Sequence, residues 1–149
     1  MFEYELQIDK PVREVYRAFN DPDNLPRWLS GLQRYEHISG TPGEVGSKNR
    51  QIYLERGRTV ELIETITAHE PEKHFAGRLE GQGINAAIEV DFVDRGQTTL
   101  VRLRSGMESE GFVMSLMMPF VRASVRKRQQ GDLRRFKQLV ETGEISGES

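Results

Sequence analysis

The stretch VMSLMMPFVRASVRKRQQGDLRRFKQLVE, residues 113–141, decides the fold. It has no glycine before Gly131, and Met114, Met118, Val121, Val125, Gln129, Asp132, Phe136 and Leu139 recur in steps of three or four. That spacing predicts one long helix with a single stripe to bury. Pro119 is expected to kink it or to mark where its regular part begins. Almost everything upstream, from Leu32 to Met107, reads instead as extended segments divided by turns. A curved antiparallel sheet cannot bury its concave face against itself, so the terminal helix must lie across it. Where helix and sheet do not pack flush, a pocket remains between them.

Working outward, Phe2, Tyr4, Leu6 and Ile8 alternate with polar residues, the period of a strand with one buried face. Val12, Val15, Tyr16 and Phe19 recur at helical spacing, which predicts a helix over Pro11 to Phe19 with Asp9 in the N-cap role. Asp21 is placed to cap a second short helix ending at Trp28, its length limited by Pro26. Extended segments are then expected at Leu32 to Ser39, Val45 to Arg56, Arg58 to Ala68, Lys73 to Glu80, Ile84 to Val93 and Thr98 to Met107. Short turns rich in Gly, Pro and Asp separate them, as in an antiparallel meander. The Arg58 segment offers Val60, Leu62, Glu64, Ile66 and Ala68 as its core face, and the Ile84 segment offers Ile84, Ala86, Ile88, Val90 and Phe92.

Composition sets the limits. A chain of 149 residues is expected to form one domain around one core, with a small polar tail, Thr142 to Ser149, that frays. A formal net charge of -2 gives no global attraction to nucleic acid or anionic membrane. Cysteine is absent, so no disulfide, thiolate nucleophile or Cys-based metal site exists. No amino-terminal signal pattern is evident and no apolar run approaches ~18 residues, so no stable membrane insertion is expected and the default location is cytoplasmic.

Glu64 is the sharpest chemical candidate. A carboxylate on an otherwise apolar face would have a raised pKa and could act as a general acid or base; the alternative is a carboxylate paired with an arginine or sitting at a cavity mouth. Asn49, Gln51 and Tyr53 share one face of their segment, and the inward orientation is preferred, which would place a polar end beside Glu64. Glu64 and Tyr53 are therefore the catalytic candidates if any reaction occurs. His37, His69 and His74 lack metal-binding spacing, and no metal or cofactor is expected. The serines lack a nucleophile-elbow context, and Gly81-Gln82-Gly83 reads as a hairpin turn. The basic residues Arg122, Arg126, Lys127, Arg128, Arg134, Arg135 and Lys137 spread around the helix without interleaved aromatics, so they read as a solvated face pairing with sheet carboxylates rather than as a nucleic-acid site. The methionines at 107, 114, 117 and 118 suit either an adaptable pocket wall or ordinary gap filling.

Four segments carry a family resemblance: IDKPVREVYRAFNDPDNLPRWL, GTPGEVGS, ETITAHEPEKHFAGRLEG and RRFKQLVE. In this order and spacing the chain resembles the SRPBCC superfamily, which includes START lipid-transfer domains, polyketide cyclases and the major birch pollen allergen. The resemblance implies an α+β helix-grip fold: a seven-stranded antiparallel sheet wrapped around the terminal helix, with two short helices closing one end. At Asn49 the chain departs from relatives that look aromatic there, which implies a more polar pocket. The expected function is binding or transport of a small apolar or amphipathic molecule between sheet and helix. Cyclase or aromatase chemistry in the same cavity, or a protein-interaction module with a collapsed cavity, are the alternatives. Expected lining comes from Trp28, from Tyr53, Leu62, Glu64, Phe75, Ile88 and Val90 on the sheet, and from Met114, Met118, Val121 and Val125 on the helix. The ligand's identity and the oligomeric state are not readable from the sequence.

Overall fold

The computed structural model describes residues 2–109 and 112–142. The side chains at 108, 109, 112–115, 117 and 118 fall outside that description, and so does the expectation that the tail beyond residue 142 frays. The elements are β1 (Phe2–Ile8), α1 (Val12–Phe19), a 3-10 turn (Pro22–Asn24), α2 (Leu25–Trp28), β2 (Leu32–Ser39), β3 (Lys48–Glu55), β4 (Arg58–Glu70), β5 (His74–Gly81), β6 (Ile84–Asp94), β7 (Thr99–Ser109) and α3 (Phe112–Thr142). One seven-stranded sheet has the order β1-β7-β6-β5-β4-β3-β2, and every neighbouring pair is antiparallel. This is the helix-grip arrangement expected from the resemblance.

Two hairpins show why the meander closes tightly. Arg56-Gly57 joins β3 to β4 with φ of 49° and 78°, and Gln82-Gly83 joins β5 to β6 with 56° and 76°. Positive φ at both central residues gives the turn whose twist matches that of the strands it connects. At the other end of β3 the chain turns twice before pairing begins, through Glu44 N to Thr41 O and Ser47 N to Glu44 O, both 3.0 Å. These turns delay β3 to Lys48 and leave Val45 exposed, where the sequence pattern had started the strand at Val45.

Three further expectations are corrected. Asp9 does not cap α1: the helix starts after Pro11 with no side-chain cap. Its carboxylate instead accepts from Gln7 Nε2 at 3.1 Å, and its backbone N–H donates to Glu141 at 2.7 Å, tying the end of β1 to the end of α3. Asp21 does take the capping role, accepting from the Asp23 N–H at 3.0 Å. In β4 a bulge between Ile66 and Ala68 breaks the period of two, so His69 pairs with Phe75 and Ala68 with Ala76. Residues directly opposite share a face, so Ala68 leaves the inner face and His69 joins it. Lastly, the regular part of α3 does not begin at Pro119, which lies inside the helix.

The densely packed core occupies one end of the molecule. Leu133, Phe136, Leu139 and Val140 of α3 are buried against Val15 and Ala18 of α1, Trp28 of α2, Ile8 of β1, and Val90, Phe92, Val101 and Leu103 of β6 and β7. Phe136 has no exposed surface; its ring centroid lies 4.9 Å from that of Trp28 and 6.1 Å from that of Phe19. Phe136→Ala is expected to cost about 3–5 kcal/mol in a denaturant titration, whereas a loss under about 1 kcal/mol would mean that the two helices are not held through this ring.

Candidate functional site

The amino-terminal half of α3 does not pack flush. A cavity of about 1710 Å³ lies between it and the inner face of the sheet. Its small lining residues include Gly77, Ala86 and Gly106 on the strands and Val121, Ser124 and Val125 on α3, beside the large Phe75 and Phe120, where the other half of the helix presents Phe136 and Leu139. Trp28, Leu62, Phe75, Ile88, Val90, Val121 and Val125 also line the cavity. The side chains of Met114 and Met118 lie outside the described residues. The volume counts against a collapsed interior.

A polar network crosses the sheet wall of this cavity. Register places it: Asn49 of β3 lies opposite Glu64 of β4, and Gln51 lies opposite Tyr35 of β2. Glu64 Oε1 accepts from the Tyr35 hydroxyl at 2.8 Å and from Asn49 Nδ2 at 3.0 Å, while Oε2 accepts from Gln51 Nε2 at 3.2 Å. The Tyr53 hydroxyl donates to Gln51 Oε1 at 2.6 Å. Asn49 and Gln51 are 3% and 4% exposed, so this face of β3 points inward. No cation pairs with Glu64 among the described residues, so the arginine-paired alternative is not what forms.

Desolvation raises the Glu64 pKa above the usual carboxylate range, against the opposing pull of the Tyr35 and Asn49 hydrogen bonds. Burial, followed by the charge of Glu64, holds the Tyr35 hydroxyl well above the ordinary tyrosine value. Burial also raises Tyr53, although the Arg128 charge works in the opposite direction. Both phenols are thus held as donors. Asp132, on the stripe of α3, is raised by burial against the hydrogen bond from the Ser30 N–H, at 3.2 Å, and the charge of Arg135.

The histidines serve the rim at the β2–β3 loop. His69 Nδ1–H donates to the Gly43 carbonyl at 2.5 Å, which leaves Nε2 to accept from the Tyr16 hydroxyl at 2.5 Å. His37 Nε2 lies 2.7 Å from the Gly40 carbonyl and Nδ1 lies 3.2 Å from Asn49 Oδ1. Among the described residues no group of three acidic or histidine side chains could hold a metal.

Sequence reasoning missed Tyr35, because a register shift between Leu32 and Arg34 obscures which face of β2 it occupies. It also misplaced the basic residues of α3. Arg128 pairs with Glu55, donates to Ser30 O at 2.5 Å and lies over the Tyr53 ring at 5.4 Å. Arg135 binds Asp132 and Trp28 O, Lys137 binds Gln7 O and Glu141, Arg122 binds Met107 O, and Arg126 lies over Phe2. Glu55 is therefore the one sheet carboxylate these groups engage among the described residues. The helix crosses α2, β1 and β7, where carbonyls and rings are within reach, while Glu89 and Asp91 are committed to Arg104 and His74.

Comparison with known proteins agrees with this architecture. A family model described as "Polyketide cyclase / dehydrase and lipid transport" matches residues 1–141. Among curated proteins nothing matches. Of solved structures, the Zhui aromatase/cyclase from a Streptomyces species superposes with a TM-score of 0.81 at 12% identity, covering 95% of this chain and 93% of that one. A protein from Thermus thermophilus gives 0.77 at 18% identity, covering 99% and 98%. The protein Ara h 8.0201 gives 0.75 at 17% identity, covering 93% and 95%. At these identities the structural likeness establishes the fold alone.

The raised Glu64 value has a consequence for stability. The folded chain holds this proton more tightly than the unfolded chain, so the associated stabilisation is complete below the ordinary carboxylate value and is lost as pH rises through the raised one. In Glu64→Gln that loss is removed. Its melting temperature, relative to the unsubstituted chain, is expected to climb as pH rises from the ordinary carboxylate value, about 4, through the raised one. Thermal melts followed by circular dichroism across this range check it, and parallel curves would overturn the assignment.

Proposed function

The chain belongs to the polyketide cyclase/dehydrase and lipid transport family, and from that premise we propose that it binds one small apolar or amphipathic molecule between α3 and the sheet. The observation that carries this reading is the cavity itself: a space of about 1710 Å³, open at its ends, with a mostly apolar lining and a convergent polar cluster around Glu64 on one wall. Burial of ligand surface would supply affinity at about 25 cal/mol per Å² of apolar area. Orientation would come from Glu64. Of its two oxygens, Oε1 already accepts two hydrogen bonds and Oε2 accepts one, so Oε2 retains capacity for a ligand hydroxyl, or donates to a ligand carbonyl when protonated.

A second reading is cyclase or aromatase chemistry in the same cavity. One observation favours it: a buried carboxyl of raised pKa at the polar end, the type of group that can act as a general acid or base. The Tyr53 hydroxyl is spent on Gln51, so Glu64 would carry proton transfer and Tyr53 would position it through that amide. Conversion of a poly-β-carbonyl probe that Glu64→Gln abolishes without loss of binding would decide for catalysis.

Val125 is half-buried on the helix wall, and a large side chain there occupies the space a ligand needs. Titration with the neutral dye Nile red is expected to be saturable at one site, and Val125→Trp is expected to weaken it about tenfold or more while the protein remains folded. A non-saturable titration, or a Val125→Trp variant that binds as well as the parent, would refute enclosure beneath the helix.

A further inference from the structure

The exposed residues along the cavity fall at two opposite ends of the strands. At the end formed by α1 and the β2–β3 loop they are Asn20, Pro22, Pro42 and His37, while the arginines of α1, Arg13 and Arg17, line a separate surface groove together with Asp21 and Glu72. At the end formed by the β3–β4 turn and the amino-terminal half of α3 they include Arg56, Arg58, Arg122 and Arg126. Among the described residues, the carboxylates that line the cavity do not offset these charges. Glu55 is taken by Arg128, Asp132 by Arg135, and Glu64 lies deep among neutral donors. Arg122 and Arg126 are steadied by a carbonyl and a ring, which leaves their charge uncompensated, and the side chains of Arg56 and Arg58 have no hydrogen bond or ion pair among the described residues.

Strand β4 turns this asymmetry into a measure of length. Arg58, Val60, Leu62 and Glu64 are alternate residues on its inner face, all along the cavity. The face therefore reads cation, apolar, apolar, carboxyl, over a rise of about 20 Å from first to last. Arg56 reinforces the cationic end although its φ of 49° is one that glycine adopts far more easily.

From this arrangement we infer that the ligand is an anionic amphiphile. Its carboxylate or phosphate head sits at the arginine rim, its apolar body lies across Val60 and Leu62, and its far end reaches toward Glu64. This rests on the cavity reading above and adds the sign and place of the ligand's charge. Opposite charge at a half-exposed rim adds a modest, salt-sensitive increment to affinity that apolar burial dominates. A head group tethered to a buried chain collects that increment, whereas a free anion has no burial to hold it there.

The test is calorimetric titration with a matched pair below their aggregation limits, dodecanoate and dodecan-1-ol, on the full chain. Dodecanoate is expected to bind about fivefold or more tightly than the alcohol at low ionic strength, with the advantage shrinking in high salt. In the double variant Arg56→Gly with Arg58→Ser the advantage is expected to fall by about half or more, Arg122 and Arg126 being left in place, while dodecan-1-ol affinity stays within about twofold; glycine at position 56 relaxes the turn, so the variant keeps its fold. Equal affinities in the parent chain, or a preference undiminished in the double variant, would overturn the anionic assignment and leave the cavity reading standing. Failure of both probes to bind would remove the cavity reading and this inference together. Inorganic phosphate separates the two sources of an anionic head: inability to displace dodecanoate at equal concentration supports the tethered group, and displacement would mean a free-anion site instead.

Discussion

Phe136, wedged between Trp28 and Phe19, clamps the carboxy-terminal half of α3 onto the closed end of the sheet, and the position of that clamp decides the rest of the architecture. A single helix has to cover the concave face of seven strands. Phe136 and Leu139 seat its carboxy-terminal half, whereas Val121, Ser124 and Val125 face the space under the other half. The cavity thus lies along the half that the clamp does not seat. Interiors elsewhere in the chain reach ordinary density, as the fully buried Ile8, Val15 and Val101 at the clamped end attest.

The same sheet that leaves the space also furnishes its chemistry. Burying a carboxylate in an apolar wall is costly unless hydrogen bonds replace its lost hydration. Here antiparallel register supplies them: Asn49 directly across from Glu64, Gln51 one inward position along, and Tyr35 from the next strand out. All three donors are neutral. A cation in their place would have fixed Glu64 as a carboxylate, whereas neutral donors leave desolvation as the larger influence and its pKa raised.

The sequence makes legible what depends on local period. The alternation of Phe2 to Ile8 and Ile84 to Phe92 and the three-four spacing of Val121 to Leu139 place β1, β6 and α3 close to their observed positions, and the breaks between strands coincide with Gly-rich turns. Glu64 is legible too, because a lone carboxyl on an apolar face is visible in one dimension. Cross-strand register is not visible there. Tyr35 therefore escapes notice although it contributes the shortest hydrogen bond to Glu64, and the bulge after Ile66 exchanges Ala68 for His69 with no signal in residue type. The arginines of α3 fail for a related reason: a helical pattern tells which side faces inward but not which strand ends, carbonyls and rings lie beneath each turn.

Binding and catalysis call on the same walls, and the network's internal accounting distinguishes what each would require. Both phenols lie within the cluster, yet each hydroxyl already donates, Tyr35 to Glu64 and Tyr53 to Gln51, and burial keeps each proton in place. Proton traffic would have to run through Glu64 alone, whose second oxygen has one long partner at 3.2 Å and open capacity beyond it. One oxygen suffices to orient a ligand. A cyclisation that removes a proton at one carbon and returns one at an oxygen needs either a second group at a different position or a ligand that shuttles its proton through the same carboxyl. The geometry meets the requirement for orientation without any addition, and meets that for catalysis only if the ligand brings its own second site to Glu64, which is why binding is the more economical reading of this cavity.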